Sequence, residues 1–367
     1  MLKAKEIIGI LDNWAKPYLI DSWDNTGFQI GDPNKKVEKI LLALDLDNKV
    51  LRKAKEIKAD MIISHHPIIF EPIKKITTTG YKEKLIYDII KEEIVVYNAH
   101  SNLDLAIGGV NDTFAELLGL EDAEVLSTSY IEPLYKIAVG VPESYADKIR
   151  NVLGESNAGW IGNYSHCTYN SEGFGTFMPR EGTNPFIGET NKLEKVNEIK
   201  IETIVEEKNL KKVINKMIKA HPYEEVAYDI YPLKNKNKEY GYGRVGNIEE
   251  MLLKNFLDLV KEKLDVNPIR VHGYKDKTIK RVAICGGSGA NFIYDAYKKE
   301  ADIYVTGDIK YHDAQLGHQL GLIVVDGNHY DTEKIILPKI KDYIYSNIQG
   351  SIEVIIHKES SPTVTLY

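Results

Sequence analysis

Histidine and carboxylate side chains follow short apolar runs at widely separated points of the chain. His65 and His66 come directly after the run MIIS and before a proline, while His329 and Glu333 follow the run IVVDGN. Side chains four residues apart share one face of a helix, so His329 and Glu333 can hold one ion or bracket two. Imidazole and carboxylate groups together are suitable ligands for divalent ions such as zinc, manganese and iron.

Asp104 extends this set to three imidazoles and two carboxylates. It stands four residues after His100 in the run NAHSNLD, as Glu333 stands four residues after His329. Strand ends of an open α/β sheet form its ligand crevice, and all these residues map to that edge. Five ligands are too many for one tetrahedral zinc ion, whereas a bridging carboxylate suits two ions about 3.5 to 4 Å apart. The pattern therefore predicts two divalent ions, Zn, Mn or Fe, held by His65, His66, Asp104, His329 and Glu333.

Each member of this set also has an explanation that needs no metal. A histidine after a strand is usually a turn or core residue, and a single His-x-x-x-Glu pair is often a local contact. Asp104 could cap the helix predicted around Val110 to Leu118. Convergence of all the members on one sheet edge favours the metal centre. His100 has two interpretations, as a further ligand or as a residue that orients the ligands by hydrogen bonding.

Another pair of side chains four residues apart, Asp308 and His312, lies in the segment VTGDIKYHDAQ after a predicted strand. Both would face the same crevice as a general acid or base or as substrate contacts, with helix capping and packing as the alternative. The run Gly286-Gly-Ser-Gly289 lacks the Walker pattern and the full dinucleotide fingerprint. A tight turn is therefore favoured there over a phosphate cradle.

The elements that must position these residues alternate between β-branched runs and helical periodicity. In residues 1–127 the predicted strands are KILLALDLD, ADMIISHHP and EIVVYNAH, separated by helices near 50–57 and 81–92. The same order returns in residues 240–367, with strands in IKRVAICGGSG, EADIYVTGD and GLIVVDGNH. Alternating strands and helices predict βαβ units and a mostly parallel sheet.

The two α/β segments also match in the residues that follow their strands. IVVYNAH in the first segment aligns with IVVDGNH in the second, and both end on a histidine. Buried parallel strands resemble one another in any protein, which is the alternative explanation. We expect an internal duplication, in which residues 1–127 and 240–367 form one split α/β domain.

Residues 128–239, between the two halves, have a different pattern. Their order is βαββαβ-like with the alternation of a half-exposed antiparallel sheet, which predicts a small α+β insert domain. A hairpin-like pair is predicted in residues 164–179, and a re-entry turn at Gly241–Gly246. The segment AHPYEEVAY, residues 220–228, is by default a surface loop, with a ligand or interface patch as the alternative.

Composition restricts the class of protein. At roughly 150 residues per domain, the 367 residues suggest two or three domains. The net charge of −7 argues against a nucleic-acid partner, because binding to phosphates requires clustered positive charge. Two cysteines exclude a disulfide framework and a four-cysteine zinc site. No apolar run approaches the length of a membrane span, and the amphipathic start lacks signal-peptide features, so we expect a cytoplasmic protein without a membrane partner.

The motifs SWDNTGFQIGD, SHHPIIF, NAHSNLD, GYGRVG, ICGGSG, TGDIKYHDA and DGNHYDTE resemble those of the Ngg-interacting-factor-three-like family, in the family's order and over nearly the whole chain. This resemblance implies a dinuclear metal site with Glu333 as the bridge and leaves His100 outside the ligand set. It also implies a toroidal homohexamer, described as a trimer of dimers. The insert resembles a ferredoxin-like domain similar to PII and CutA-type trimers.

The resemblance implies a function as well. A GTP cyclohydrolase label attached to the family suggests that metal-activated water attacks C8 of guanine in a nucleotide and releases formate, with His312 or Asp308 shuttling protons. A two-metal phosphoesterase is one alternative. The other is a metal-binding regulatory or chaperone-like hexamer whose PII-like insert senses a small molecule.

Overall fold

The chain has a mixed α/β fold with several sheets. The computed structural model describes residues 2–348 and 350–358. The chain divides into two compact units: the first contains the residues up to Tyr130 and from Tyr240 onwards, and the second contains Ile131–Glu239. Within the described ranges, no helix combines the length and the apolar character that crossing a membrane requires.

Helices and strands follow one another along the chain in this order. Before the insert they are β1 (Leu2–Lys3), α1 (Ala4–Trp14), β2 (Gly27–Ile30), β3 (Lys36–Val37), β4 (Lys39–Ala43), α2 (Asn48–Ile57), β5 (Met61–Ser64), α3 (Tyr81–Lys91), β6 (Val95–Asn98), α4 (Ser101–Leu105), α5 (Val110–Leu117) and β7 (Glu121–Ile131). The insert contains β8 (Leu134–Pro142), α6 (Ala146–Glu155), β9 (Tyr169–Phe177), β10 (Glu194–Glu206), α7 (Glu207–Ala220) and β11 (Tyr228–Leu233). After it come β12 (Glu239–Leu252), α8 (Leu253–Leu264), β13 (Arg270–His272), β14 (Thr278–Ser288), α9 (Ile293–Lys298), β15 (Ile303–Gly307), α10 (Tyr311–Leu320), β16 (Ile323–Asp326), α11 (His329–Glu333), α12 (Ile336–Asn347) and β17 (Glu353–Ile356).

A five-stranded sheet in the first unit has the order β17-β4-β5-β6-β2. All its neighbouring strands are parallel except β2, which pairs antiparallel with β6. Successive strand residues point to opposite faces. Ile40 and Leu42 therefore pack with α1 and α12, while Leu41 packs with α2 and α3. Covering both faces explains why β4, β5 and β6 are continuously apolar, and it leaves their carboxyl ends as the accessible edge.

A six-stranded sheet in the same unit has the order β13-β16-β15-β14-β12-β7. Its centre, β14, β15 and β16, is parallel. Ile284 of β14 packs in one cluster with Phe114 of α5 and Phe256 of α8, whereas Ala283 packs in another with Ile293 of α9. The predicted strand and helix alternation is confirmed in both segments.

The re-entry turn predicted at Gly241–Gly246 is wrong, because these residues belong to β12. A Cβ atom on Gly241 would overlap the Ser127 carbonyl oxygen, and one on Gly246 would lie 2.7 Å from the Glu121 carbonyl oxygen. These two glycines therefore allow close approach of the β7 and β12 backbones. Glycine spacing alone does not distinguish that purpose from a turn.

The second unit has the order β8-α6-β9-β10-α7-β11. Its sheet, β11-β8-β10-β9, is antiparallel throughout. Val139 of β8, Ile149 of α6 and Met217 of α7 share one apolar cluster, so both helices cover the same face. Residues 164–179 were predicted as a hairpin-like pair, but they contribute only β9 to the sheet, because every ladder partner of β9 lies in β10.

Candidate metal centre

The structure brings the five predicted ligands together at the carboxyl ends of strands in the first unit. His65 and His66 directly follow β5, and Asp104 lies in α4 after β6. His329 and Glu333 lie in α11 after β16. Their donor atoms form overlapping groups, each of which could hold a metal ion.

The first group surrounds one oxygen of Glu333. Its Oε2 atom lies 3.0 Å from His66 Nε2 and 3.1 Å from His329 Nε2. These two imidazole nitrogens are themselves 3.3 Å apart. Two nitrogens and one carboxylate oxygen facing a common point form the donor set that borderline divalent ions prefer.

The second group surrounds the other oxygen of the same carboxylate. His65 Nε2 lies 3.8 Å from Glu333 Oε1 and 3.5 Å from Asp104 Oδ1. The two oxygens of Glu333 therefore face different sets of ligands. This is the geometry that a bridging carboxylate requires.

An acceptor holds the Nδ1 atom of each imidazole in the set. The pairs are His65 with the Ala99 carbonyl oxygen at 2.7 Å, His66 with Asp45 Oδ1 at 2.8 Å, and His329 with Asp308 Oδ2 at 2.7 Å. An acceptor at Nδ1 keeps the proton there and leaves the Nε2 lone pair directed at the centre. The rings are thus oriented for metal binding by their own hydrogen bonds.

His100 is held in the same way by a residue that the sequence analysis did not identify. Its Nδ1 atom lies 2.9 Å from Asp24 Oδ1, and Asp24 also accepts hydrogen bonds from Ser101 and Thr26. Donor atoms of His65, His66 and His100 lie close enough together to form a third group. His100 therefore belongs to the cluster by position.

Two buried polar atoms at the centre make no hydrogen bond within the described part of the chain. These atoms are His65 Nε2 and Glu333 Oε2. The short His66 and His329 distances to Glu333 Oε2 are close approaches without hydrogen-bond geometry. Leaving buried polar atoms unpaired is costly, and coordination of a cation would satisfy both. The residues present therefore fit a bound metal.

The glycines at the carboxyl end of β14 make room for this carboxylate. A Cβ atom on Gly287 would overlap Glu333 Oε1, and its φ of +63° favours glycine. A Cβ atom on Gly307 would lie 2.7 Å from the His329 backbone nitrogen. The tight turn predicted for Gly286–Gly289 is wrong, because residues 286–288 still belong to β14, whose pairing with β15 is irregular between Ile284 and Ser288. The glycines at this strand end instead leave room for the Glu333 side chain.

The carboxylates around the centre favour positive charge on the groups between them. Burial lowers the pKa of His66, but Asp45 and Glu333 outweigh this and raise it to about 10. Burial likewise lowers the pKa of His329, while Glu333 and Asp308 raise it to about 9. Burial raises the pKa of Glu333, yet the neighbouring histidines hold it well below its usual range. The same negative charges that favour protonation of these imidazoles would also favour a divalent cation at the centre.

Asp308 and His312, predicted to face the crevice together, are placed differently. Asp308 contacts His329, as described above. His312 is exposed, and its contacts among the described residues are with Gln315 and Tyr311, on its own helix. Asp308 has a φ of +57° and precedes α10, so the helical spacing of four does not apply to the pair.

An aromatic pair lies beside the centre. Trp23 is 56% exposed and Phe70 is 44% exposed, with ring centroids 6.1 Å apart. The Trp23 ring also lies edge to face with His100 at 5.9 Å. Large exposed aromatic rings next to a polar cluster form a surface on which a planar ligand can stack.

A mixed α/β chain whose strand ends gather three overlapping groups of histidine and carboxylate donors is a candidate metal-binding protein. Residues 2–362 match the Duf34/NIF3 family, NGG1p interacting factor 3, and the chain belongs to this family. The resemblance inferred from the motifs is confirmed.

Similar proteins extend over nearly the full chain. The GTP cyclohydrolase 1 type 2 homolog of Bacillus subtilis (strain 168) is 47% identical over 336 residues, covering 91% of this chain and 90% of the relative. The crystal structure of a Bacillus cereus protein related to NIF3 has a TM-score of 0.90 at 41% identity, covering 100% of this chain and 99% of that chain. A Staphylococcus aureus protein of solved structure has a TM-score of 0.82 at 28% identity with the same coverage. The similarity therefore includes the insert.

Proposed function

We propose that this protein is a metal-dependent hydrolase with a dinuclear centre held by His65, His66, Asp104, His329 and Glu333. The observation that carries this proposal is the position of Glu333, whose two oxygens face separate groups of ligands. When bound, two divalent ions, Zn, Mn or Fe, would supply Lewis acidity and an activated water.

The chain's own residues would orient the ligands and carry protons. Asp45 and Asp308 hold the rings of His66 and His329 in place. Of the two proton carriers predicted from the sequence, Asp308 contacts the cluster, whereas His312 would have to move to reach it. The geometry also supports His100, held at Nδ1 by Asp24, as a proton carrier.

The proposed substrate is a purine nucleotide, with GTP as the first choice. Support comes from the name of the Bacillus subtilis relative and from the exposed Trp23 and Phe70 rings, on which a base could stack. In the proposed reaction one water adds at C8 of guanine and opens the imidazole ring. A second water then releases formate.

The test measures formate from GTP after loading the purified protein with Zn, Mn or Fe in turn. Formate release that is lost in His65→Ala and in Glu333→Gln would support the proposal. His318→Ala and Glu262→Gln serve as matched controls, because both residues are exposed on helices away from the cluster. Absence of formate with every metal would exclude the cyclohydrolase reaction, and phosphodiester substrates assayed in parallel would reveal a phosphoesterase.

We also propose that the first unit arose by duplication. Asp60 before β5 accepts hydrogen bonds from the Glu38 and Lys39 amides, and Asp302 before β15 accepts equivalent bonds from the Lys280 and Arg281 amides. Each aspartate also donates its own amide to the preceding strand, to the carbonyl oxygens of Lys39 and Arg281 respectively. Strand composition alone does not explain why both halves have the same hydrogen-bonding arrangement around an aspartate.

For the assembly we propose a homohexamer, a trimer of dimers, in the cytoplasm. The insert is proposed to be a ferredoxin-like domain of PII or CutA type, supported by its βαββαβ order and its antiparallel strand order β11-β8-β10-β9. A second candidate function follows, in which the hexamer is regulatory or chaperone-like and the insert senses a small molecule. The observation that favours it is a cavity of about 300 Å³ within the second unit.

A further inference from the structure

The second unit contains a cavity of about 300 Å³ that the proposed metal chemistry does not use. It lies between the end of β9, the segment that follows β9, and the loop between α7 and β11. Its volume is at the lower end of the range for small-molecule sites in proteins. The loop belongs to the segment 220–228, for which a ligand patch was the alternative to a plain surface loop.

Three aromatic rings line this cavity. Tyr223 lies 5.7 Å from Phe177 and 6.4 Å from Phe186 between ring centroids. Phe186 is 48% exposed, so its ring is accessible to a ligand. The rings therefore offer π faces on several sides of one small space.

The carboxylate of Glu198 also lines this cavity. Glu198 Oε1 accepts a hydrogen bond of 2.8 Å from the Tyr223 hydroxyl. Cβ atoms on Gly140 and Gly175, in the strands on either side of β10, would approach Glu198 Oε2 to 2.8 and 2.6 Å. Neither neighbouring strand could therefore carry a larger side chain there without displacing this carboxylate.

The charged side chains that line the cavity are all acidic. Glu224 and Glu225 join Glu198 in lining the cavity, and the lining has no lysine, arginine or histidine. Asn184 donates its backbone amide to Glu224 Oε2 at 3.0 Å, which ties the segment after β9 to the loop after α7. Aromatic faces and carboxylates without a compensating cation attract the same kind of ligand, one that carries positive charge on an apolar frame.

We propose that this cavity binds a small organic cation, an ammonium group attached to an aromatic or alkyl skeleton. The ammonium group lies against Glu198 and the face of Tyr223, and the skeleton fills the space between Phe177 and Phe186. This inference deepens the regulatory function proposed above and is independent of catalysis at the metal centre. Its failure would leave the formate assay unaffected.

The test uses the full-length protein and three probes of similar shape: 2-phenylethylammonium, 2-phenylethanol and phenylacetate. Isothermal titration should show saturable binding of the ammonium probe, and about tenfold or more weaker binding of the neutral and anionic probes. Glu198→Gln should weaken binding of the ammonium probe by about tenfold or more, because a charged partner is replaced by a neutral one of the same size. Phe186→Leu should also weaken it. Glu155→Gln, an exposed carboxylate at the end of α6, is the matched control and should leave binding unchanged.

Two results would overturn the proposal. One is equal binding of the ammonium and carboxylate probes by the unsubstituted protein, a comparison that does not depend on any variant folding. The other is no saturable binding of the ammonium probe, as expected if a second copy of the chain or another segment covers the cavity. A thermal unfolding curve for each variant identifies any that has lost its structure.

Discussion

Glu333 is the residue on which the two ligand groups meet. It is 4% exposed, and its oxygens face His66 and His329 on one side and His65 on the other. A buried carboxylate is stable only when compensating charge surrounds it. Here the compensating charge comes from the imidazoles, or from metal ions bound by them. Metal binding would therefore offset the free-energy cost of burying the charged Glu333 carboxylate.

The hydrogen bond from His66 to Asp45 should contribute to metal affinity. We expect Asp45→Asn to weaken metal binding roughly 10- to 100-fold, because such supporting contacts orient the ring and raise its basicity. Competition with a chromophoric chelator measures this affinity. Asp342→Asn, an exposed position on α12, is the matched control. Unchanged affinity in Asp45→Asn would contradict a supporting role for this hydrogen bond, and His66→Ala would then test the ligand directly.

Gly287→Ala should disrupt the centre from the neighbouring carboxyl end of β14. The added methyl group would overlap Glu333 Oε1 at a positive φ, with an expected loss of about 1 to 3 kcal/mol in stability and a reduced metal content. Gly9→Ala is the control: nothing lies within 4 Å of its Cβ position in α1, and the change should stabilise by about 0.5 to 1 kcal/mol. Thermal unfolding and elemental analysis test both variants. Full metal content in Gly287→Ala would contradict the proposed position of Glu333.

At the scale of elements, the sequence predicted those parts of the site that local patterns specify. His65 and His66 could be placed because an apolar run ends there, and Glu333 because it follows His329 by one helical turn. Asp24 and Asp45 were missed as supporting residues, since their contacts with histidines 76 and 21 residues away depend on tertiary structure. His312 was placed at the crevice because the spacing of four was assumed to be helical. Asp45 did carry a signal, because it follows β4 closely, much as His65 follows β5.

The end of α7 should be sensitive to mild acid. Burial lowers the pKa of His221, although the Gly140 carbonyl and Glu198 act in the opposite direction. The unfolded chain therefore takes up the proton more readily, so the stability due to His221 is present above its ordinary pKa of 6.5 and is lost as pH falls below it.

Hydrogen exchange of the α7 amides, corrected for intrinsic rates, tests this expectation. Protection should fall between about pH 7.5 and pH 5 in the unsubstituted protein, and His221→Gln should show a smaller dependence on pH. His166→Gln, an exposed histidine of the same unit, should leave the dependence unchanged. An equal dependence in His221→Gln would show that another group causes it.

At the scale of the whole molecule, the two units should respond differently to metal removal. Chelation should reduce the hydrogen-exchange protection of α4 and α11, which carry ligands, because bound ions stabilise the folded state that holds them. Protection of α6 and α7 in the second unit should not change. His65→Ala provides the control. Because this variant lacks one ligand, chelation should change its hydrogen-exchange protection less. Equal loss of protection in both units would contradict the expectation that metal removal destabilises only the first unit.

The proposed hexamer predicts a mass close to six times the 41.6 kDa of one chain. Native mass spectrometry at several concentrations measures this mass directly. A stable monomer or dimer at micromolar concentration would exclude the assembly. The net charge of −7 per chain adds to −42 in a hexamer and should make assembly easier at higher ionic strength, because salt screens like charges.

The ligands of the centre come from both ends of the chain, with the whole insert between them. His65, His66 and Asp104 precede residue 131, whereas His329 and Glu333 follow residue 239. During synthesis the ribosome therefore releases three ligands and the entire insert long before the last two. Because domains fold as units in the order in which they are made, the insert can fold while the centre is still incomplete. A nascent chain cannot assemble the full ligand set until Glu333 has emerged, well after the insert.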